Sequence, residues 1–305
     1  MYQCPQGCVF PIIGNISRFE SADNYASSFG LQWNKFSKTQ LDSYTGLSIS
    51  QKRLARICGG DLDVFCNARV LEAGCGAGRF TEIMLQAGAK VFAVDISMAV
   101  EANYTNCHSY PDYFVCQADI LNLPVQPEQF DVVICVGVIQ HTPNPEQTMS
   151  VLCSHVKPGG MLLLDHYTYG YATTPVRKWL RSYLKRKSKE YSMRFVQNLC
   201  KTLWPLHKLI FQMKRVPILK RLRPIFLYWS PLVDYHDAYP DLDKKLLFEW
   251  AILDTHDTLT DYYKHLRSAE QISHHLKNCG MTDIIAAYAG NGVEVRAKKP
   301  GYNSN

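Results

Sequence analysis

The sequence predicts an α/β chain built on a doubly wound, mainly parallel sheet, and three observations carry that prediction. Short apolar runs alternate with segments of helical spacing, the pattern of βαβ units. The first run ends in an acid, Glu72, and then places glycine at every second position, Gly74, Gly76 and Gly78, before a periodic segment over Arg79–Ala87. A second apolar run, Lys90–Val94, ends in another acid, Asp95. Strand, tight turn and helix start therefore follow one another at residues 70–80, with a second strand close behind.

Each part of that segment has a chemical reading. Glycines let a backbone pass close under a ligand without Cβ interference. The helix N-terminus beyond them offers free N–H groups. An acid ending the next strand suits a ribose diol, which donates two hydrogen bonds. The spacing then separates two nucleotide-binding patterns. A dinucleotide fingerprint places a third glycine where the helix packs on the strand; counted from Gly74, that position is Arg79. Glu72 stands where dinucleotide sites usually carry an apolar residue. The string E-x-G-x-G-x-G instead resembles motif I of the class I S-adenosylmethionine-dependent methyltransferases.

The rest of that family's pattern follows in order. Residues 113–117 form a third strand, followed by Ala118-Asp119-Ile120. Residues 130–136 form a fourth, followed by Gly137 and Gln140-His141-Thr142. Val156-Lys157-Pro158-Gly159-Gly160 makes the turn into a fifth, Met161–Asp165. The resemblance covers residues 69–166 and implies a Rossmann-like, seven-stranded methyltransferase sheet with helices on both faces. It implies S-adenosylmethionine as cofactor and S-adenosylhomocysteine as product. The implied cofactor contacts are Glu72, Gly74, Cys75, Gly76, Asp95, Ile96, Asp119, Ile120, Val136 and Gly137, with Asp119 meeting the adenine amine and Ile120 packing on the ring.

Size and composition set the limits. The 305 residues suffice for one elaborated domain or two. No apolar run approaches the roughly 20 residues that span a bilayer, and the N-terminus has no basic-then-apolar signal segment. Eleven scattered cysteines, several in expected strands, suit a reducing cytosol. A cytoplasmic protein is expected, with peripheral contact at the inner membrane face as a variant. The net charge of +6 conceals an asymmetry: fifteen Lys or Arg between Arg177 and Arg223, against Glu190 alone, make that stretch +14 and leave −8 for the remainder.

Along the chain five regions are expected. Residues 1–20, with Cys4 and Cys8, resemble the second half of a small zinc ribbon; two cysteines cannot close a tetrahedral site, so no metal is expected. Residues 21–66 form an N-terminal helical cap. Its Phe-Gly-x-Gln-Trp and Thr-Gln-Leu-Asp-Ser strings resemble a bacterial methyltransferase subgroup, in which this segment folds over the cofactor. Arg53, on a helix over Ser50–Cys58, reads either as a partner of the cofactor carboxylate or, preferably, as a solvated charge. Residues 67–166 are the cofactor-binding core. Residues 267–305 supply the final helix, Ala269–Cys279, and a closing hairpin, Thr282–Ala289 and Gly292–Lys298. Between them, residues 167–266 form a large helical insertion after the fifth strand, broken at Pro205, Pro217 and Pro224. An insertion there leaves from the carboxyl end of a strand, where open α/β sheets bind ligands, so it is expected to cap the cofactor and recognise the acceptor.

Methyl transfer from a sulfonium is an in-line displacement in which the protein mainly aligns the reactants. A hydroxyl acceptor also needs a base. The candidates are His141, after the fourth strand, and His166, after the fifth. Tyr167, Trp250, Asp254, His256 and Tyr262 are candidate acceptor contacts. The expected reaction is O-methylation of a small-molecule or glycan acceptor. N- or C-methylation, a binding protein without turnover and a nicotinamide oxidoreductase are the alternatives. Three partners compete for the basic stretch: water alone, an anionic acceptor, or an anionic membrane surface with aromatic anchors. Nucleic acid is not expected, since no binding module accompanies the charge.

Overall fold

The structure, a computed structural model, describes residues 1–3, 7–169, 174–213, 221–290 and 292–302. Two short strand pairs come first: β1 (Tyr2–Gln3) with β2 (Val9–Phe10), and β3 (Ile12–Ile13) with β4 (Ile16–Arg18), both antiparallel. Helices α1 (Ser27–Lys35), α2 (Asp42–Thr45) and α3 (Ile49–Cys58) lead to the alternating core. That core runs β5 (Arg69–Ala73), α4 (Thr81–Gln86), β6 (Lys90–Asp95), α5 (Val100–Cys107), β7 (Tyr113–Gln117), β8 (Phe130–Cys135), α6 (Pro145–His155) and β9 (Val156–Tyr167). Helices α7 (Pro175–Leu184), α8 (Lys189–Met213), α9 (Leu222–Trp229) and α10 (Lys244–Thr260) follow, and α11 (Ala269–Asn278), β10 (Thr282–Ala289) and β11 (Gly292–Lys298) end the chain.

The main sheet has the order β10-β11-β9-β8-β5-β6-β7-β4-β3. Strands β5 to β9 are mutually parallel, and β10 and β11 are antiparallel additions. The direction of winding reverses between β5 and β8, and a doubly wound sheet opens its ligand crevice at such a point. The sheet has nine strands rather than the expected seven because the N-terminal hairpin joins it: β4 lies parallel to β7, with Ser17 opposite Cys116 and Arg18 opposite Gln117. Gly14 and Asn15, at φ +60° and +64°, form the two-residue turn that such a hairpin requires. Within residues 1–20 the described chain is therefore partly sheet edge and not simply a ribbon remnant. Cys4 lies outside the described residues, and Cys8 is exposed. Among the described residues no group of three His, Cys, Asp or Glu is placed to hold a metal.

Both faces of the sheet are covered. Ile139, Met149, Leu152, Leu162, Leu164, Ile272 and Val293 pack on one face, and Leu54, Ile57, Phe65, Met84, Val100 and Leu163 on the other. Burial of each such side chain contributes roughly 1.5–3 kcal/mol. Strand β9 starts at Val156, before the expected Met161, because Val156 pairs with Phe130 ahead of a register shift.

The chain divides into two compact units. The first comprises Met1–Ser37, Ser48–Tyr171 and Tyr263–Asn305, and the second Lys38–Leu47 and Ala172–Tyr262. Residues 38–47 thus group with the inserted helices and not with the rest of the N-terminal segment: Thr39 donates to Glu249 at 3.3 Å and Gln40 to Asp254 at 3.4 Å. Pro205 lies inside α8 and does not end it. Pro205 and Lys201 are both exposed, so water can satisfy the carbonyl that proline leaves without a donor. Pro224 falls in the first turn of α9, where proline costs little; Pro217 lies outside the described residues.

Candidate active site

The first unit places its polar side chains at the carboxyl ends of β5, β6 and β8. Gly74 and Gly76 adopt φ of +80° and +50°, in the left-handed region that penalises any other residue. A Cβ on Gly74 would stand 2.2 Å from a Val138 methyl, and one on Gly76 would stand 3.4 Å from the Trp33 ring. The loop is therefore held by shape from both sides. Trp33 belongs to α1, and Asn24, just before that helix, donates to the Ile96 carbonyl at 2.9 Å. The N-terminal segment thus reaches the glycine loop and the end of β6.

A chain of hydrogen bonds fixes the loop from beneath. Tyr113 donates to Asn103 at 2.6 Å, Asn103 to Thr81 at 3.0 Å, and Thr81 to Glu72 at 2.5 Å. The Asn103 amide also reaches the Cys75 carbonyl at 3.3 Å. Glu72 is buried, and burial pushes its carboxyl up to about 8 against the lowering effect of Thr81. It is committed to holding the loop from within.

Asp95 ties the ends of two strands together. One carboxylate oxygen accepts the Gly76 N–H at 3.0 Å, and the other accepts the Ser97 N–H at 2.8 Å and the Ser97 hydroxyl at 2.7 Å. Burial raises its pKa, and these three bonds oppose the rise. A carboxylate has about four lone-pair positions, so about one direction is left for a ligand hydroxyl. Asp119 caps the short turn Ile120–Asn122 by accepting the Leu121 N–H at 3.0 Å, and Ile120 is buried beside it. Burial, and then the negative fields of Asp119 and Asp95, hold the Tyr25 phenol above its usual range. Tyr25 also packs edge-on against Tyr263 at 5.4 Å.

Beyond β8, Val136 is buried and Gly137 adopts φ +79°. The Gly137 N–H donates to Asp165 at 2.6 Å, and the other Asp165 oxygen pairs with Arg53. Arg53 is thus not the solvated charge expected. Burial opposes its charge, but Asp165 outweighs that and raises the guanidinium pKa. Its Nε is buried without a partner, as are both atoms of the Gln140 amide.

The two candidate bases part company. Along β9, Leu162, Leu164 and His166 share one face, and Leu163, Asp165 and Tyr167 the other. His166 lies opposite Val293 and is almost wholly buried. Its Nδ1–H donates to the Tyr167 carbonyl at 2.8 Å, and burial lowers its pKa to about 4. His141 sits between Phe29, at 5.3 Å, and Tyr167, at 5.4 Å, and its Nδ1 lies 3.2 Å from the Tyr263 carbonyl. His141 therefore stands with Tyr167, and His166 points away through the sheet.

The remaining candidates lie in the helical unit. Trp250 is interior and stacks on Tyr239 at 5.0 Å. His256 is fully buried. Asp254 accepts from Tyr235 and Gln40. Tyr262 is half exposed, with the Lys185 ammonium over its ring at 4.5 Å. Trp250 and His256 are thus buried within that unit. Thr81 and Asn103 carry no signal in the sequence, whereas Trp33 belongs to the Phe-Gly-x-Gln-Trp string expected to fold over the cofactor and does meet the loop. Arg79, at the position of the missing third glycine, packs over Phe80 at 5.2 Å and donates to Ser50 at 2.8 Å.

Comparison with known proteins fits this geometry. The sequence model of the methyltransferase-domain family matches residues 71–164. The ubiquinone biosynthesis O-methyltransferase of Azoarcus sp. (strain BH72) is 37% identical over 102 residues, covering 32% of this chain and 43% of that protein. The protein of the same name from Xanthomonas campestris pv. campestris (strain B100) is 32% identical over 150 residues, covering 43% of this chain and 62% of its own length. The malonyl-[acyl-carrier protein] O-methyltransferase of Buchnera aphidicola subsp. Baizongia pistaciae is 30% identical over 128 residues, covering 42% and 51%. The chain thus spans between 43% and 62% of the length of these relatives. Among solved structures, an S-adenosylmethionine-dependent methyltransferase from Mesorhizobium loti superposes with a TM-score of 0.47 at 14% identity, over 82% of this chain and 98% of that one; a likeness so slight carries no further weight. The stretch from β5 to β9, with its glycine loop and its acids, is the part of the chain that resembles the methyltransferase-domain family.

Proposed function

We propose that this protein transfers a methyl group from S-adenosylmethionine to an oxygen of a small-molecule acceptor. The observation that carries the reading is the Asp95–Gly76 bond, which sets an acid and a left-handed glycine loop together at the switch point of the sheet. The residues present fit the cofactor. Asp95 keeps a lone-pair direction for a ribose hydroxyl, Ile120 offers an apolar wall, and the orphaned Arg53 Nε is a buried donor. A dinucleotide fits less well, because Arg79, packed over Phe80, stands where its fingerprint places a third glycine.

The cofactor supplies an electrophilic methyl group on a sulfonium. The chain supplies position and proton transfer. Trp33 and Val138 hold the glycine loop in shape from outside, and Glu72, Thr81 and Asn103 hold it from within. Tyr25 and Tyr263 exclude water near the two acids. The Nδ1–H of His141 donates to the Tyr263 carbonyl and orients the ring, and His141 is the residue proposed to take the acceptor's proton. His166, neutral and turned through the sheet, is not placed for that task.

The names of the relatives specify oxygen as the atom methylated in those proteins, which supports O-methylation over N- or C-methylation. The acceptor is proposed to be anionic, of phosphorylated or acidic glycan type, because the inserted segment after β9 carries a +14 stretch between Arg177 and Arg223. Residues 167–266 are proposed to recognise it. Among the described residues no helix is long and apolar enough to cross a membrane. The deciding experiment is calorimetry with S-adenosylmethionine, S-adenosylhomocysteine and NAD, followed by mass spectrometry of candidate acceptors for the gain of one methyl group. Tighter binding of NAD overturns the proposal. Cofactor binding with no turnover on any extract leaves a binding protein in its place.

A further inference from the structure

The helical unit carries a surface whose pattern is inverted. On α9 the charged residue, Arg223, is buried, whereas Ile225 is 60% exposed, Trp229 57% and Tyr228 55%. On the neighbouring part of α8, His207 is buried while Leu206 and Leu209 are exposed. A helix that packs in water does the reverse, with its apolar stripe inward and its charges outward.

The inversion is held by a polar clasp. The His207 Nδ1–H donates to Asp234 at 2.6 Å, and its Nε2 is hydrogen-bonded to the Ser230 hydroxyl, which follows α9, at 2.8 Å. Arg223 donates to Asp234 at 2.9 Å and to Asp237 at 2.7 Å, and its guanidinium lies over the Phe211 ring at 5.1 Å. The His236 ring closes on the same Asp234 carboxylate at 2.9 Å. An eight-residue helix does not hold its own shape in water; the clasp holds this one with its aliphatic and aromatic residues turned out.

The surroundings choose the partner. Lys201, Lys208 and Arg221 are exposed beside these residues, in the stretch that carries +14. A second copy of the chain would bring the same charge against itself. Nucleic acid would meet the lysines and could stack on Tyr228 and Trp229, but it would leave the aliphatic Leu206, Leu209 and Ile225 facing water. An anionic bilayer meets both features: basic residues at its charged surface, Trp and Tyr at headgroup depth, and aliphatic side chains just beneath. We infer that the outer face of α8 and α9 docks on an anionic lipid surface.

The test is sedimentation of the full chain with vesicles of phosphatidylcholine alone and of phosphatidylcholine mixed with phosphatidylglycerol. Binding is expected with the mixed vesicles, weaker with the neutral ones, and reduced as salt rises from about 0.05 to 0.5 M. Paired Ile225→Ser and Trp229→Ser substitutions, at exposed positions, are expected to lower vesicle affinity by about tenfold or more. They should leave circular dichroism and cofactor affinity unchanged. A second variant, Lys208→Gln with Arg221→Gln, should weaken binding to mixed vesicles alone. Four results overturn the inference: no binding to mixed vesicles at low salt; binding indifferent to the Ile225 and Trp229 changes; self-association that those changes abolish; and binding to duplex DNA that vesicles cannot displace.

Discussion

At the scale of single residues, the site depends on acids whose environments differ. Asp95 spends three of its hydrogen bonds within the protein, so Asp95→Ala removes a ligand contact and also frees Gly76. We expect cofactor affinity to fall by about 1.5–3 kcal/mol, the worth of a hydrogen bond to a charged group, measured by calorimetry; unchanged affinity would exclude the residue from the site. Glu72 makes a prediction of stability. Its carboxyl titrates near 8 when folded, against an ordinary value of 4.5. Below the lower value both states are protonated. Between the two, the unfolded chain ionises and the folded one does not, so stability falls as pH rises through that window, by on the order of 1 kcal/mol per unit. Glu72→Gln should flatten this slope in thermal melts without cofactor, and an identical slope in the variant would refute the assignment. The two histidines separate kinetically. His141→Ala should lower kcat by roughly a hundredfold or more and leave cofactor affinity intact, whereas His166→Asn should keep turnover.

At the scale of elements, the glycine loop and its struts act as one object. Gly74→Ala would press a methyl group into Val138 and force a left-handed alanine, at a cost of at least about 1–2 kcal/mol. Loss of cofactor binding, with a melting temperature lowered only moderately, is the expected result. A fully active Gly74→Ala protein would mean that the loop is not the cofactor's seat. The parallel strands were legible in the sequence because a buried strand is a continuous apolar run, and the glycines marked the turn after β5. The hairpin of β3 and β4 was not, although Gly14-Asn15 is a turn signal: strands of two and three residues are too short to show a period, and the nearby cysteines suggest a ribbon remnant instead. Arg53 was misread for a different reason. Its partner, Asp165, is distant in sequence, and nothing local reveals an ion pair that forms only when α3 lies against β9.

At the scale of the whole molecule, charge and exposure were legible to different degrees. The +14 stretch is countable in the chain, but its inverted faces are not. Arg223 reads as a surface charge until Asp234 and Asp237 are seen to bury it. The same holds for Trp250, whose aromatic neighbours Tyr235 and Tyr239 come from a loop no periodicity describes. Acceptor turnover should fall as salt rises if the basic stretch attracts an anionic substrate, while cofactor affinity holds. Turnover indifferent to salt between about 0.05 and 0.5 M would remove the charge from acceptor recognition.

The position of β11 has a consequence for how the molecule is made. This strand lies between β9 and β10, with Val293 opposite His166 and Lys298 opposite Met161. A ribosome must finish the entire inserted unit before it can release the strand that pairs with β9. During that interval the nascent sheet presents the backbone donors and acceptors of β9 to whatever lies nearby, a hazard for a half-made protein. Arg56 waits equally long for Glu294, its partner on the same late strand. A chain released after Leu266 should therefore pellet where the full one stays in solution, and synthesis should depend on a chaperone bound during that delay.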